Sequence, residues 1–297
     1  MGSNPTSSAN CDIFYITMDI RVADQRILLF ADQLSAEDAK QLSWEKKTSA
    51  FDALSKMTSF LSRPKDDDFE LLYSEHRYQP FWHVIAKARY VYDRTAQYQI
   101  APNGSEVQSV TLEKTDYVVT NGHLHVSVME HCSQDEQDEV YVDGVTGKNN
   151  PDLASYLSLS PKVATDKLEK LITKGSIVVP PQARVSAIMR DALSKMIKGI
   201  QADKILEEQV EVECVDLYYR PVFAFQYKWK SKNKIAIVEI DGVTGAVGSG
   251  NRTFNEYLGK VLDKDFLFDL GADAAGVLIP GGSIAVKVAK RYIDKKK

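Results

Sequence analysis

The sequence predicts an α+β protein of two tandem repeats, each a helix packed on an antiparallel sheet, with a helical C-terminal tail. Three recurrences predict it. Asp-Gly-Val-Thr-Gly stands at 143–147 and at 241–245, each time after a run rich in β-branched residues. Asp-Ala-Leu-Ser-Lys-Met stands at 52–57 and, identical, at 191–196. Tyr-Gln-Pro-Phe-Trp at 78–82 returns as Tyr-Arg-Pro-Val-Phe at 219–223. The recurrences keep their order, and an internal repeat decides how the rest of a chain is divided. The hexapeptide and the proline motif have offsets of 139 and 141 (191 − 52 and 219 − 78), the pentapeptide only 98 (241 − 143). The first copy therefore holds 43 extra residues (141 − 98) between its proline and its Asp-Gly turn.

Residues 12–20 and 26–31 read as two short strands of a hairpin, so 1–34 forms a leader ahead of the repeats. Ser35-Ala36-Glu37-Asp38 fits a helix start, where a hydroxyl caps free amides and carboxylates face the positive end of the dipole. That helix continues towards Leu61. Ala50, Ala53, Leu54, Met57 and Leu61 in copy one, and Met189, Ala192, Leu193, Met196 and Ile200 in copy two, recur at helical spacing. Each set is one apolar helix face. After Pro221 the period falls to two, with Phe223, Phe225, Tyr227 and Trp229 on one face of a strand. Trp82, Val84, Ala86 and Ala88 match them in copy one. Asp-Gly suits a turn that needs positive φ, so the pentapeptide reads as the turn closing a strand, not as an active site. Residues 109–119 and 123–131, separated by Thr-Asn-Gly, read as the inserted hairpin. Residues 160–175 begin with Ser-Pro and end on Gly, which predicts a connecting helix. The division is 1–34, leader and hairpin; 35–158, first repeat; 159–179, connecting helix; 180–258, second repeat; and 259–297, basic helical tail.

Val140-Tyr141-Val142-Asp143-Gly144-Val145-Thr146-Gly147 and Val238-Glu239-Ile240-Asp241-Gly242-Val243-Thr244-Gly245 each follow a helix and strands. In this the chain resembles the PepSY module and the broader cystatin-like α+β layout. The resemblance implies a regulatory or inhibitory binding domain. PepSY modules usually occur in secreted or membrane contexts, and this sequence departs from them in showing no signal, protease domain or spanning helix.

With 44% hydrophobic and 26% charged residues the chain has a globular composition, which excludes disorder as its general state. A net charge of −4 argues against nucleic-acid binding, which needs a clustered basic face. Three cysteines at wide spacing (Cys11, Cys132, Cys214) do not make a disulfide framework and read as a reducing compartment. No apolar run reaches the roughly 18–20 residues of a spanning helix. The start, Met-Gly-Ser-Asn-Pro-Thr, matches the N-myristoylation pattern at Gly2. There is no G-x-S-x-G, no Walker loop and no Cys-His family signature, so neither nucleophilic catalysis nor nucleotide binding has a local motif.

A non-enzymatic, cytoplasmic protein-binding or scaffold module is therefore expected, acting through sheet edges and the aromatic Tyr-x-Pro corners, with Tyr78, Trp82, Tyr218 and Tyr219 as contact residues. Aromatics of this kind dominate binding hot spots, though burial beneath a helix would occupy most of them structurally. A first alternative uses the basic tail. Lys287, Lys290, Arg291 and Lys295 oppose an apolar stripe, as in a helix lying on an anionic membrane or an acidic partner. A second alternative is a metal-dependent enzyme. His123 and His125 share one strand face with His131 if the strand is unbroken, and zinc is the ion they would take. Otherwise no cofactor is expected.

Overall fold

The computed structural model describes residues 19–51, 65–159, 162–164, 176–250 and 287–290. In chain order the elements are β1 (Asp19–Val22), β2 (Gln25–Phe30), α1 (Ala36–Lys46), β3 (Phe69–Ile100), β4 (Ser109–Leu112), β5 (Thr115–Val118), β6 (Leu124–Asp143), β7 (Lys162–Ala164), β8 (Ile177–Val178), α2 (Val185–Met196), β9 (Lys204–Trp229), β10 (Lys234–Asp241), β11 (Val247–Gly250) and β12 (Lys287–Lys290). Among the described residues all strands apart from the β4–β5 hairpin belong to one sheet.

Two strands of unusual length set the architecture. β3 has 32 residues and β9 has 26, and they pair antiparallel from Phe69↔Trp229 to Asp93↔Lys204. At about 3.3 Å per residue β3 spans roughly 100 Å. β6 pairs with the far half of β3, and β10 with the near half of β9. β1 and β2 are not a hairpin. Both run parallel to β9 in one register, Asp19↔Gln209 and Gln25↔Val215, so they are one strand interrupted at Ala23–Asp24.

The two-repeat expectation is overturned by where the helical segments pack. Ile188, Met189, Ala192, Leu193 and Met196 of α2 lie on Trp82, Val84 and Ala86 of β3, on Val140 and Val142 of β6, and on the facing valines of β9. Phe223, Phe225, Tyr227 and Trp229 of β9, with Val238 and Ile240 of β10, are covered instead by Ala39 of α1 and by Phe51. The helix that precedes β9 thus covers the strands of the first copy, and the segment that precedes β3 covers the second. Neither copy closes its own core. The protein is a mostly antiparallel β structure around one long sheet, not a pair of helix-on-sheet modules. Each Leu, Ile or Met that α2 buries contributes about 1.5–3 kcal/mol, so the contacts exchanged between copies form a large part of the stability.

The hexapeptide of copy two lies in α2, while that of copy one (52–57) falls outside the described residues. α1 starts as predicted, with Ser35 Oγ accepting from the Asp38 amide at 3.1 Å. Where the sequence predicts helix, Lys162–Ala164 and Lys287–Lys290 are strands, paired with β2 and β1 respectively. Residues 109–119 already form a hairpin by themselves, turning at Glu113 and Lys114 with positive φ. Asn121-Gly122 then turns the chain into β6, which pairs with β3.

The recurring proline and pentapeptide motifs make the same contact twice. The Gly144 amide donates to Pro80 O, and the Gly242 amide to Pro221 O, each at 2.9 Å. Asp143 Oδ1 accepts from the Val145 and Thr146 amides, as Asp241 Oδ1 does from Val243 and Thr244. Positive φ falls on the last glycine of each turn, Gly147 and Gly245 at 71°, not on the glycine after the aspartate. The first glycine is there because the turn sits against a proline of the neighbouring strand.

Candidate functional site

Beyond Asp93↔Lys204 the sheet narrows to a two-stranded arm in which Arg94–Ile100 pairs with Leu124–Glu130. Among the described residues the outer edge of β6 takes no further strand from Leu124 to Glu139. Tyr98, Ile100 and Met129 on the arm, with Leu112 and Val118 on the β4–β5 hairpin, are exposed, Val118 by 69%. Edge strands are usually blunted by charge. Here the blunting is uneven. Glu130 pairs with Arg94, Asp135 with Arg89, Glu136 with Lys198 and Asp138 with Lys195. Leu124-His125-Val126-Ser127-Val128-Met129 carries no Asp, Glu, Lys or Arg.

A second constellation lies nearer the sheet centre, on the face opposite α2. His83 of β3 and Asp216 of β9 are register partners, and a bulge between Ile85 and Ala86 leaves Glu213 unpaired beside Cys214. The candidate donor atoms of His83, Cys214 and Asp216 all lie within 4.8 Å of one another. His83 Nδ1 is 3.6 Å from Cys214 Sγ. Its Nε2 is 2.8 Å from Glu139 Oε1, and its ring stacks on Tyr141 with centroids 4.7 Å apart. A carboxylate only accepts, so Glu139 places the ring proton on Nε2 and leaves the Nδ1 lone pair facing the thiol. Asp216 is buried and accepts from Arg26 Nε at 2.7 Å and Nη2 at 2.6 Å.

The electrostatics follow from that packing. Burial, and then the neighbouring Asp216 carboxylate, push the Cys214 thiol up to about 12. Hydrogen bonds from Tyr141 and His83 hold Glu139 below its ordinary value despite some burial. The hydrogen bond to Asp216 raises the Arg26 guanidinium further above its already high value. Imidazole, thiol and carboxylate together form a group that could hold a metal. Asp216 Oδ2 also accepts from the Tyr218 hydroxyl at 3.3 Å, so it is Oδ1 that keeps a lone pair beyond the one given to Arg26.

The residues singled out in the sequence are placed differently. His123, His125 and His131 are exposed, with His123 Nδ1 at 3.2 Å from Asn121 O and His131 Nδ1 at 2.7 Å from Asp93. The group that converges contains none of them. Tyr78, Trp82, Tyr218 and Tyr219 are all buried. Trp82 Nε1 donates to Ala183 O, and Tyr218 stacks with Phe30 and Phe81. The Tyr-x-Pro corners therefore hold the pentapeptide turns. Lys287 and Lys290 lie on β12, and Arg291 and Lys295 lie outside the described residues. Among the described residues no helix is long and apolar enough to cross a membrane.

No family model, curated protein or solved structure matches the chain. Nothing in these comparisons identifies the PepSY-like or cystatin-like modules expected from the two octapeptides.

Proposed function

We propose that this chain is a protein-binding module that receives an extended segment of a partner protein along the edge of β6 at 124–129. The observation that carries the reading is the uneven blunting of that edge. Its paired charges begin at Glu130 and leave six uncharged positions, exposed Met129 among them, beside exposed Tyr98 and Ile100. A partner strand added there gains main-chain hydrogen bonds, while alternate side chains supply selectivity. The segment it fits is apolar and β-branched.

A photocrosslinking residue at His125, introduced in the native host, is expected to give one discrete adduct. Met129→Lys combined with Ser127→Lys should abolish it, because charges placed on an edge block pairing, while circular dichroism stays unchanged. An adduct that survives the lysines, or that also forms from a crosslinker on Lys40 of α1, would contradict the reading.

A second reading is favoured by the convergence of His83, Cys214 and Asp216: the chain binds one zinc ion there. Protein purified with zinc and dialysed is expected to retain one equivalent by elemental analysis, lost in His83→Ala and in Cys214→Ser. The metal-free thiol should alkylate at pH 8 on the order of a thousandfold more slowly than an ordinary cysteine, because so little of it is thiolate. Zinc content equal in wild type and Cys214→Ser would remove this reading.

A further inference from the structure

His76 is held between a hydroxyl and a carboxylate on the other face of β3. Its Nδ1 is 2.6 Å from Ser176 Oγ, and its Nε2 is 2.8 Å from Asp32 Oδ1. The three residues come from the loop two residues past β2, from β3 and from the residue before β8, separated by 44 and 100 positions. The imidazole stacks on Phe223 with centroids 4.5 Å apart and meets the Tyr78 ring edge-on at 5.1 Å. The Tyr78 hydroxyl donates to the second Asp32 oxygen at 3.4 Å. His76 and Asp32 keep 17% and 29% of their side chains accessible, so the group is fixed by packing yet reachable from solvent.

The protonation pattern follows from the partners. Asp32 only accepts, so Nε2 carries the ring proton and Nδ1 presents its lone pair to the Ser176 hydroxyl. A hydroxyl, a base that can take its proton and a carboxylate that orients the base form the arrangement that activates a serine, recognised by geometry and not by order in the chain.

We propose that Ser176, His76 and Asp32 form an esterase-type site, with Ser176 as nucleophile, His76 as general base and Asp32 as its positioning residue. This stands apart from the β6 edge and does not rest on it. Ser176 Oγ bonds to the acyl carbon as its proton passes to His76 Nδ1. The ester C–O bond breaks, and the leaving alkoxide takes that proton and departs as alcohol. Water then attacks the acyl-serine, gives a proton to Nδ1 and releases the carboxylic acid, and Ser176 Oγ recovers its proton. The substrate class is an uncharged ester, since the accessible Asp32 carboxylate beside His76 repels an anion.

The full chain is incubated with a fluorophosphonate, which a nucleophilic serine attacks with loss of fluoride, and the adduct is placed by peptide mapping. Labelling of Ser176, absent in Ser176→Ala, is expected, with p-nitrophenyl acetate turnover falling in parallel. Asp32→Asn, close to isosteric, should lower kcat roughly 10²–10⁴-fold with KM and thermal midpoint unchanged, since its amide no longer secures the base in the required tautomer. The proposal is overturned if folded wild type is not labelled at Ser176, or if labelling persists in Asp32→Asn and His76→Gln at the wild-type rate.

Discussion

Replacing Arg220 by alanine is expected to destabilise the protein by about 3–5 kcal/mol, the usual cost of removing one partner from a buried ion pair. Arg220 Nη1 donates to Asp241 Oδ2 at 2.6 Å and to the Tyr156 hydroxyl at 2.9 Å, and Nη2 donates to Gln79 Oε1 at 3.0 Å. Tyr156 donates in turn to Asp241 at 2.6 Å. Four segments meet at this cluster: β3, β9, β10 and the 3-10 helix Pro151–Ser158 that carries Tyr156. Alanine would leave a buried carboxylate without its cation. Burial alone would push the Asp241 carboxyl up, but the Arg220 charge, the Tyr156 hydroxyl and the Thr244 amide outweigh it and hold the group below its ordinary value. A carboxylate depressed in the folded state stabilises it above the unfolded pKa of about 3.9 and loses that contribution as pH falls through the folded value. Urea titrations should therefore show Asp241→Asn less stable than wild type near neutrality. The gap should close on acidification below about pH 4. A gap that is constant with pH would show that the charge of Asp241 contributes nothing.

Gly144→Ala is the second large effect, expected to cost about 3 kcal/mol because the added carbon meets backbone that cannot yield. A Cβ there would lie 2.7 Å from Pro80 O and 2.8 Å from Pro80 Cγ. At the matching Gly242 the nearest atom is Pro221 Cγ at 3.0 Å, and about 1 kcal/mol is expected because a ring carbon can shift. At Gly147 and Gly245 an added Cβ would meet only ordinary contacts, Ala183 Cβ at 3.8 Å and Leu34 Cδ1 at 3.6 Å, so alanine should cost about 1–2 kcal/mol at each for the left-handed backbone alone. Denaturant midpoints of the four variants check that order. Equal losses at Gly144 and Gly147 would mean that close approach to Pro80 is not what selects the glycine.

Local chemistry in this chain was legible and long-range pairing was not. The alternation of Phe223, Phe225, Tyr227 and Trp229 gave the buried face of β9, and Ser35 gave the start of α1. The pentapeptide was readable as a turn, but not the reason for its first glycine, because Pro80 and Pro221 stand on other strands. Strands usually have about 3–10 residues, so β3 and β9 read as several short ones. Once they are single strands paired with each other, both copies share one sheet and their helical segments exchange. The metal-capable group was hidden for the same reason. His83 and Asp216 are 133 residues apart (216 − 83), and only the register of two long strands and a bulge bring Cys214 beside them. His123, His125 and His131 drew attention by proximity in sequence. A strand face turned to solvent is enough to explain them.

Both copies build one cooperative sheet, and the proposed binding surface lies on its edge. Equilibrium unfolding followed by two tryptophans tests it most directly. In a Trp44→Phe background, Trp82 reports the core under α2 and Trp229 the core under α1 and Phe51. Single-tryptophan chains keeping one or the other, with the remaining tryptophan changed to phenylalanine, are titrated with urea alongside far-UV circular dichroism. After correction for the change in stability each substitution brings, coincident transitions are expected from both fluorescence signals and the dichroism. Two separated transitions, one for each tryptophan, would mean independent modules and would contradict the account.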